Sequence, residues 1–327
     1  MTQITRRTAL AAFGTAVATT AQAQPAPDWP RRQIRVIVPQ PPGGNLDILV
    51  RAVAEGLRQD LGQAVVVENR PGGNSVIGLE ACAMAPPDGT TFCAVNIEVM
   101  STLPHVEPAL FQRFASLVPV TQMATSPSVL VASLDAPEGS LVDFVAWARG
   151  RPGLNYGSSG VGSAQQLLWE WIKARDGFAM EHVPFRGIGD AFRELVAGRV
   201  QASYGALALS MPLIRDGRIR PLAVLGAQRL PDLPGVPSMV ELGYNFPYTG
   251  AWWGLAAPAG TPLAIQERMA LAVRGVVRAE EFRARVLAPQ FFNGIGSTPQ
   301  EFAALIERER ANGAEVVRLS GIAGAPR

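Results

Sequence analysis

The feature that most restricts the fold is a short apolar run, Ile34–Val38 (IRVIV), that empties into Gln40-Pro41-Pro42-Gly43-Gly44. The run predicts a buried strand. Beyond it, Leu46, Leu49, Val50, Val53, Leu57 and Leu61 recur at helical spacing, which predicts a helix over about 45–61. Ala64–Glu68 then reads as a strand, Val76–Met84 as a helix, Pro86-Pro87-Asp88-Gly89 as a turn and Thr91–Val95 as a third strand. Strand, helix, strand, helix, strand calls for a small parallel sheet with helical crossovers, because a tight hairpin cannot join parallel neighbours.

The same alternation resumes after Val118–Ala132. Leu154–Gly157, Glu181–Pro184, Gln201–Ala206 and Arg220–Leu225 read as strands, with helices at Ser163–Ala174 and Asp190–Ala197. An apolar strand returns at Trp252–Ala257, and three amphipathic helices follow. A chain of 327 residues with 48% hydrophobic content suits about two domains. The expected layout is discontinuous: residues 24–121 and 252–327 form one domain and residues 122–251 the other.

Residues 1–23 read as an export signal. Arg6 and Arg7 open it, Ala9–Val17 supplies the apolar stretch, and Ala21-Gln22-Ala23 is a small-residue cleavage site. The Thr-Arg-Arg-Thr order fits a twin-arginine signal, and an ordinary secretion signal fits as well. No later segment has the ~20 apolar residues of a membrane span. The formal charge of +2 falls to about zero without the two leader arginines, which removes the basic face that nucleic acid would need. Cys82 and Cys93 both lie in apolar surroundings and are expected as free buried thiols.

Two strand-to-helix junctions can hold a ligand. In the first, Gly43 and Gly44 leave backbone N–H groups approachable, the prolines fix the loop, and the helix starting near Asn45 turns its positive end outward. A carboxylate or phosphate is the natural guest, although Asn45 or Asp47 capping the helix would account for the same residues. In the second, Asn155-Tyr156-Gly157-Ser158-Ser159-Gly160-Val161-Gly162-Ser163 ends a strand in small hydroxylated residues, with Ser163 a plausible cap. One junction in each unit lets the two face each other across a cleft.

Catalytic patterns are missing from the sequence. His105 and His182 sit in no metal-ligand spacing, the serine loop is not a G-x-S-x-G elbow, and no Walker-type G-K-[ST] occurs. His182, ahead of a strand-like run, reads as a structural residue.

The motifs, taken in order, are IRVIVPQPPGGNLD, VVVENRPGG with Ile77-Gly78, PPDGTTF, VPVTQMATSPSVLV, LNYGSSGVGS, HVPFRG, IRPLAVLGAQRLPDLPGVPS and WWGLAAPAGTP. This set resembles the Bug-type (TctC-like) extracytoplasmic solute receptors of tripartite tricarboxylate transporters, over essentially the whole chain after the signal. The resemblance implies an α/β, two-domain periplasmic binding protein of the type II-like flytrap kind. Its parallel-sheet domains would be joined by crossover strands at Val120–Val131 and Trp252–Ala257. It further implies a soluble, monomeric, non-enzymatic periplasmic receptor without a cofactor, which captures a small carboxylate and delivers it to a membrane permease. The rival readings are an orphan receptor that signals to a membrane sensor and an enzyme acting on a small acid in the same cleft.

In such receptors the two junction loops grip the ligand, which here singles out Gln40, Pro42, Gly43, Gly44 and Asp47, with Ser158, Ser159, Gly162, Ser163 and Gln166 opposite. Asn74 and Asn96, just past the second and third strands, can line the same crevice. Arg186 is the cation best suited to a ligand carboxylate. The chain departs from its relatives where Gln40 replaces an aromatic residue, Gln166 a histidine and Gly205-Ala206 an Asp-Asn pair. The stretch Glu98–Val118 is shortened and unusual. Trp252 and Trp253 are expected to alternate, one in the core and one toward the cleft, where a ring would suit an aromatic acid.

Overall fold

The computed structural model describes residues 29–73 and 75–322, so the export signal and Asn74 lie outside the described residues. Strands β1 (Ile34–Val38), β2 (Val65–Asn69) and β3 (Thr91–Asn96) are parallel with β1 in the middle. Helices α1 (Asn45–Leu61) and α2 (Val76–Ala83) form the crossovers. After β3 the chain makes a π-helical turn at Glu98–Thr102, then the short α3 (Leu103–Val106) and α4 (Pro108–Gln112). Strands β4 (Val118–Ser126) and β5 (Ser128–Ala132) follow, separated by Pro127.

A second set comprises α5 (Leu141–Arg149), β6 (Asn155–Ser158), α6 (Ala164–Asp176), β7 (Glu181–Pro184), α7 (Ile188–Val196), β8 (Ala202–Ala206), α8 (Leu207–Arg215) and β9 (Arg220–Val224). The chain then supplies β10 (Ala251–Ala257), α9 (Leu263–Arg278), α10 (Glu280–Phe282), β11 (Asn293–Gly294) and α11 (Pro299–Ser320). The first sheet has the order β11-β4-β10-β3-β1-β2 and the second β7-β6-β8-β5-β9.

Two details differ from the sequence reading. Both sheets are mixed rather than parallel: β10 is antiparallel to β3 and β4, and β5 is antiparallel to β8 and β9. Parallel neighbours need a crossover helix; β5 and β10 enter straight from the other unit without one. The expected crossover strand Val120–Val131 is divided, because β4 stays in the first sheet and the change of sheet falls at Pro127, later than the 121/122 boundary. The return crossing runs beside it, with Ala251 opposite Ser126 and the Leu225 N–H donating to the Ser128 carbonyl at 2.8 Å.

Period-two alternation splits each sheet's core into two layers. In the first sheet Val36 and Val38 join Leu49, Val53, Met269 and Val273 on the α1/α9 side, while Ile37 joins Leu79 and Phe302 on the α2/α11 side. In the second, Val129 and Val131 meet Phe192 and Met211, whereas Leu130 and Tyr156 belong with Phe144 and Trp169. Cys82 and Cys93 are free and buried in this core.

Helix α11 seats the π-helical turn. Gly313 passes so close to it that an added Cβ would lie 2.1 Å from the Ser101 carbonyl oxygen and 3.2 Å from the Tyr248 hydroxyl. Backbone cannot yield as a flexible side chain can. Gly313→Ala is therefore expected to cost about 1–3 kcal/mol, the usual penalty for overpacking, read as a lowered urea midpoint; an unchanged midpoint would contradict this packing.

Candidate functional site

The two junction loops follow the carboxyl ends of parallel strands, where open α/β sheets place their ligands. In the first, Pro41–Gly44 are exposed and Gly43 holds φ +84° with nothing within 4 Å of a built Cβ. Helix α1 begins at Asn45 behind Gly44 with no side-chain cap, whereas Ser140, Ser163 and Thr298 cap α5, α6 and α11. An uncapped helix start leaves its first N–H groups without intrahelical partners and favours an anion.

Asp47 belongs to the frame of this loop. It is 3% exposed, accepts the Gly43 N–H at 2.9 Å, and receives Arg51 Nε at 3.0 Å and Asn69 Nδ2 at 2.8 Å. With its oxygens so occupied, it is not the free ligand contact expected from sequence. Burial by itself raises its pKa, but the Arg51, Gly43 and Asn69 hydrogen bonds bring it below the ordinary 3.8. Asn69 also donates to the Gln40 carbonyl at 3.1 Å, leaving the half-buried Gln40 beside the exposed Pro42.

The second loop satisfies itself. Ser158 is 0% exposed, and its Oγ donates to the Gly160 carbonyl, accepts the Gly160 N–H and lies 2.6 Å from His182 Nε2. That serine–histidine contact is no nucleophile pair, since a wholly buried hydroxyl cannot reach a substrate. Burial holds His182 below its ordinary pKa, so the ring is neutral at neutral pH. Gln166 Oε1 accepts the Gly162 N–H at 2.7 Å, and Ser163 caps α6 through the Gln166 N–H. Ser159 Oγ donates to Gln165 Oε1 at 2.9 Å. Arg186, past the end of β7, is exposed and makes no ion pair among the described residues.

Contact between the units at this edge runs through residues 98–106, a segment in which sequence reasoning named no ligand residue. Glu98, half-buried at the head of this segment, stands beside the start of α6, near enough for Ala164, Ser159 and Gln165 to act on its carboxyl. Burial raises its pKa from the ordinary 4.5, and these polar neighbours only partly offset the rise. Nearby, Gly162 at φ +76° leaves room for Val106, whose Cγ1 would stand 2.8 Å from an added Cβ. Asn96 is turned inward, its Oδ1 accepting the Val99 N–H at 3.2 Å, which steadies the turn bearing Glu98. The available signal was an acid two residues past the end of β3, at the head of the unusual Glu98–Val118 stretch.

Neither tryptophan ring lines a cleft. Trp252 is 4% exposed and packs edge-on to Phe302, while Trp253 is 6% exposed and packs edge-on to Phe292 on the opposite face of β10. The expectation of one cleft-facing ring is thus corrected: each face of β10 has its own apolar layer to fill. The open hollow lined by Arg32, Arg35 and Thr90 sits at the other end of β1 and β3.

Two mixed α/β units joined by paired crossings, with helix starts and loops gathered at one edge, are the fold of periplasmic binding proteins. Residues 49–322 match the tripartite tricarboxylate transporter family receptor, so the chain belongs to this family of receptors. It is 34% identical over 325 residues to protein BugT of Bordetella pertussis, covering 95% of this chain and 97% of that protein. An R. palustris protein solved with adipate superposes with a TM-score of 0.84 at 33% identity, covering 90% of this chain and 99% of that one. MatC from Rhodopseudomonas palustris, solved with bound malate, gives 0.80 at 26% identity over 88% of this chain and 100% of that one. The family match begins at Leu49, just after the proline-glycine loop.

The buried Asp47 yields a test. Asp47→Ala should cost about 1–3 kcal/mol of stability at neutral pH, the penalty for stranding its buried partners. A carboxylate with a depressed folded pKa stabilises above its ordinary value, 3.8 here, and loses that contribution as pH falls through the folded value. The gap between wild type and variant in urea denaturation should therefore close below that pH; a gap that widens on acidification would contradict the assignment.

Proposed function

We propose that this receptor captures a small organic anion between its two units, after export to the periplasm and cleavage near Ala23, and hands it to a membrane permease. One unit comprises residues 29–126 and 251–322, the other the segment between them. The first loop receives the ligand's carboxylate on the open start of α1, with Gln40 and Arg186 free to contact the rest. Binding is by hydrogen bonds and charge, with no covalent step, and the receptor works as a monomer.

The observation that carries this reading is family membership together with two relatives solved with adipate and malate, both small carboxylates. The uncapped α1 behind an exposed Gly43-Gly44 supports it from this chain's own geometry. Among the described residues no helix is long and apolar enough to cross a membrane.

The test is a thermal-shift screen of small carboxylates, amino acids and neutral sugars at constant ionic strength. A true ligand stabilises by linkage, about 2.7 kcal/mol at roughly a hundred times Kd, so the melting temperature should climb with carboxylate concentration. Stabilisation by neutral sugars alone would defeat the proposal.

A further inference from the structure

His182 is a titratable group behind the second loop that has no part in gripping the ligand. It lies on β7, the edge strand of the second sheet, with Tyr156 of β6 opposite it in register. The two rings stack with centroids 5.1 Å apart and planes at 22°. Helix α6 supplies the charges beside the pair. The Tyr156 hydroxyl donates to Glu170 Oε1 at 2.5 Å, and Lys173 Nζ donates to the two Glu170 oxygens at 2.8 and 3.0 Å. Glu170 is thereby spent on partners other than the imidazole.

The bonds of the loop place the imidazole proton. A serine hydroxyl has one hydrogen to give and can accept two. Ser158 Oγ donates to the Gly160 carbonyl at 3.0 Å and accepts the Gly160 N–H at 3.1 Å. The 2.6 Å contact with His182 Nε2 is then a hydrogen bond only if that ring nitrogen carries the proton. Nδ1 is left bare. Among the described residues it has no hydrogen-bond partner, and the half-buried ring does not seal it from solvent. Protonating Nδ1 breaks none of these bonds, so acid adds a charge without rearranging the loop.

Resting on the receptor reading above, we infer that His182 is a charge switch for anion capture: acidification sets a cation one hydrogen bond behind the second loop and tightens the hold on a carboxylate. It is a positioning residue, acting through Ser158 and through its field rather than by touching the ligand. Burial holds the ring below its ordinary 6.5, while Glu170 and Lys173 of α6 act on it in opposite senses. Tyr156 of β6 faces it as a neutral phenol, and on its own side of the sheet edge Glu181 and Arg186 are exposed. A bound carboxylate adds a negative charge that no other group spends. By linkage, the factor that protonation adds to affinity returns as a raised pKa of the ring in the complex. Affinity therefore climbs as pH falls through the titration of His182 and is lost again above it.

Adipate and malate, titrated by calorimetry into wild type and His182→Gln at about pH 7.5 and about pH 5.5, read the switch on either side of the histidine range. Glutamine keeps an N–H for Ser158 and takes no charge. Using the same buffers for both proteins cancels protonation of the acids themselves. On acidification, wild-type Kd should fall by about threefold or more relative to the variant. Long-range proton–nitrogen NMR of the wild-type imidazoles needs no variant at position 182, since His105→Gln identifies the other ring. At neutral pH the proton should sit on Nε2, and a bound acid should raise the midpoint of His182 by about half a pH unit, the same threefold.

Equal pH profiles in the two proteins, a bare Nε2 at neutral pH, or a midpoint that a bound acid leaves unmoved would each overturn the inference and leave the carboxylate-receptor reading standing. Failure of both acids, and of a wider carboxylate panel, to bind the wild type at either pH would overturn that reading and the inference with it.

Discussion

At the edge between the two sheets, the segment after β3 packs on the loop that opens α6: Val106 fills the space left by Gly162, and Glu98 stands beside the start of that helix. Much of the edge seats that segment. Asn96 ties down the start of the turn, Tyr248 on the return crossing holds Ser101, and α11 backs the turn through Gly313. One apolar cluster continues behind it, including Ile97, Met100 and Leu103 from the first unit with Leu167 and Leu168 from the second. A charged group in such a place is costly unless polar groups face it, and the backbone and side chains at the start of α6 offset part of that cost. The two loops have taken unlike roles: one helix start is open, the other is capped by Ser163 and closed by Gln166 on Gly162.

Much of the fold was legible because the periodicities are local. The IRVIV run, the helix at Asn45–Leu61 and the strand at Glu181–Pro184 appear as read, since burial on a strand or along one helix face leaves its mark in neighbouring residues. Sheet direction was less legible. Whether β10 runs with or against β3 depends on how the chain returns from the second unit, and nothing in Ala251–Ala257 encodes that. The tryptophans misled for a related reason: alternation assigns Trp252 and Trp253 to opposite faces, but only the helices on each face reveal that both faces are core.

The site was legible in its loops and not in its wiring. Gly43, Gly44 and the Ser158–Ser163 run marked the junctions, because glycine and small hydroxyls at strand ends have a local cause. Asp47 looked like a ligand contact because an acid near a helix start is ambiguous, and only the positions of Arg51 and Asn69 assign it to the frame. Glu98 was hidden by sequence distance: its partners lie some sixty residues onward, in another unit. The departures from the family pattern at Gln40 and Gln166 now differ in meaning, since Gln166 is spent on Gly162 whereas Gln40 stands at the open loop.

Carbon-detected NMR of the glutamate side-chain carboxyls in the ligand-free protein, with Glu98→Gln assigning the resonance, tests the central contact most directly. A carboxyl beside the start of α6 should titrate above the ordinary 4.5, because burial outweighs the polar groups near it. A raised folded pKa also means that this acid favours the folded state most at pH below 4.5 and less as pH climbs through the raised value. A Glu98 carboxyl titrating at or below 4.5, as a solvent-exposed acid does, would show that it does not occupy the start of α6 and would contradict the account.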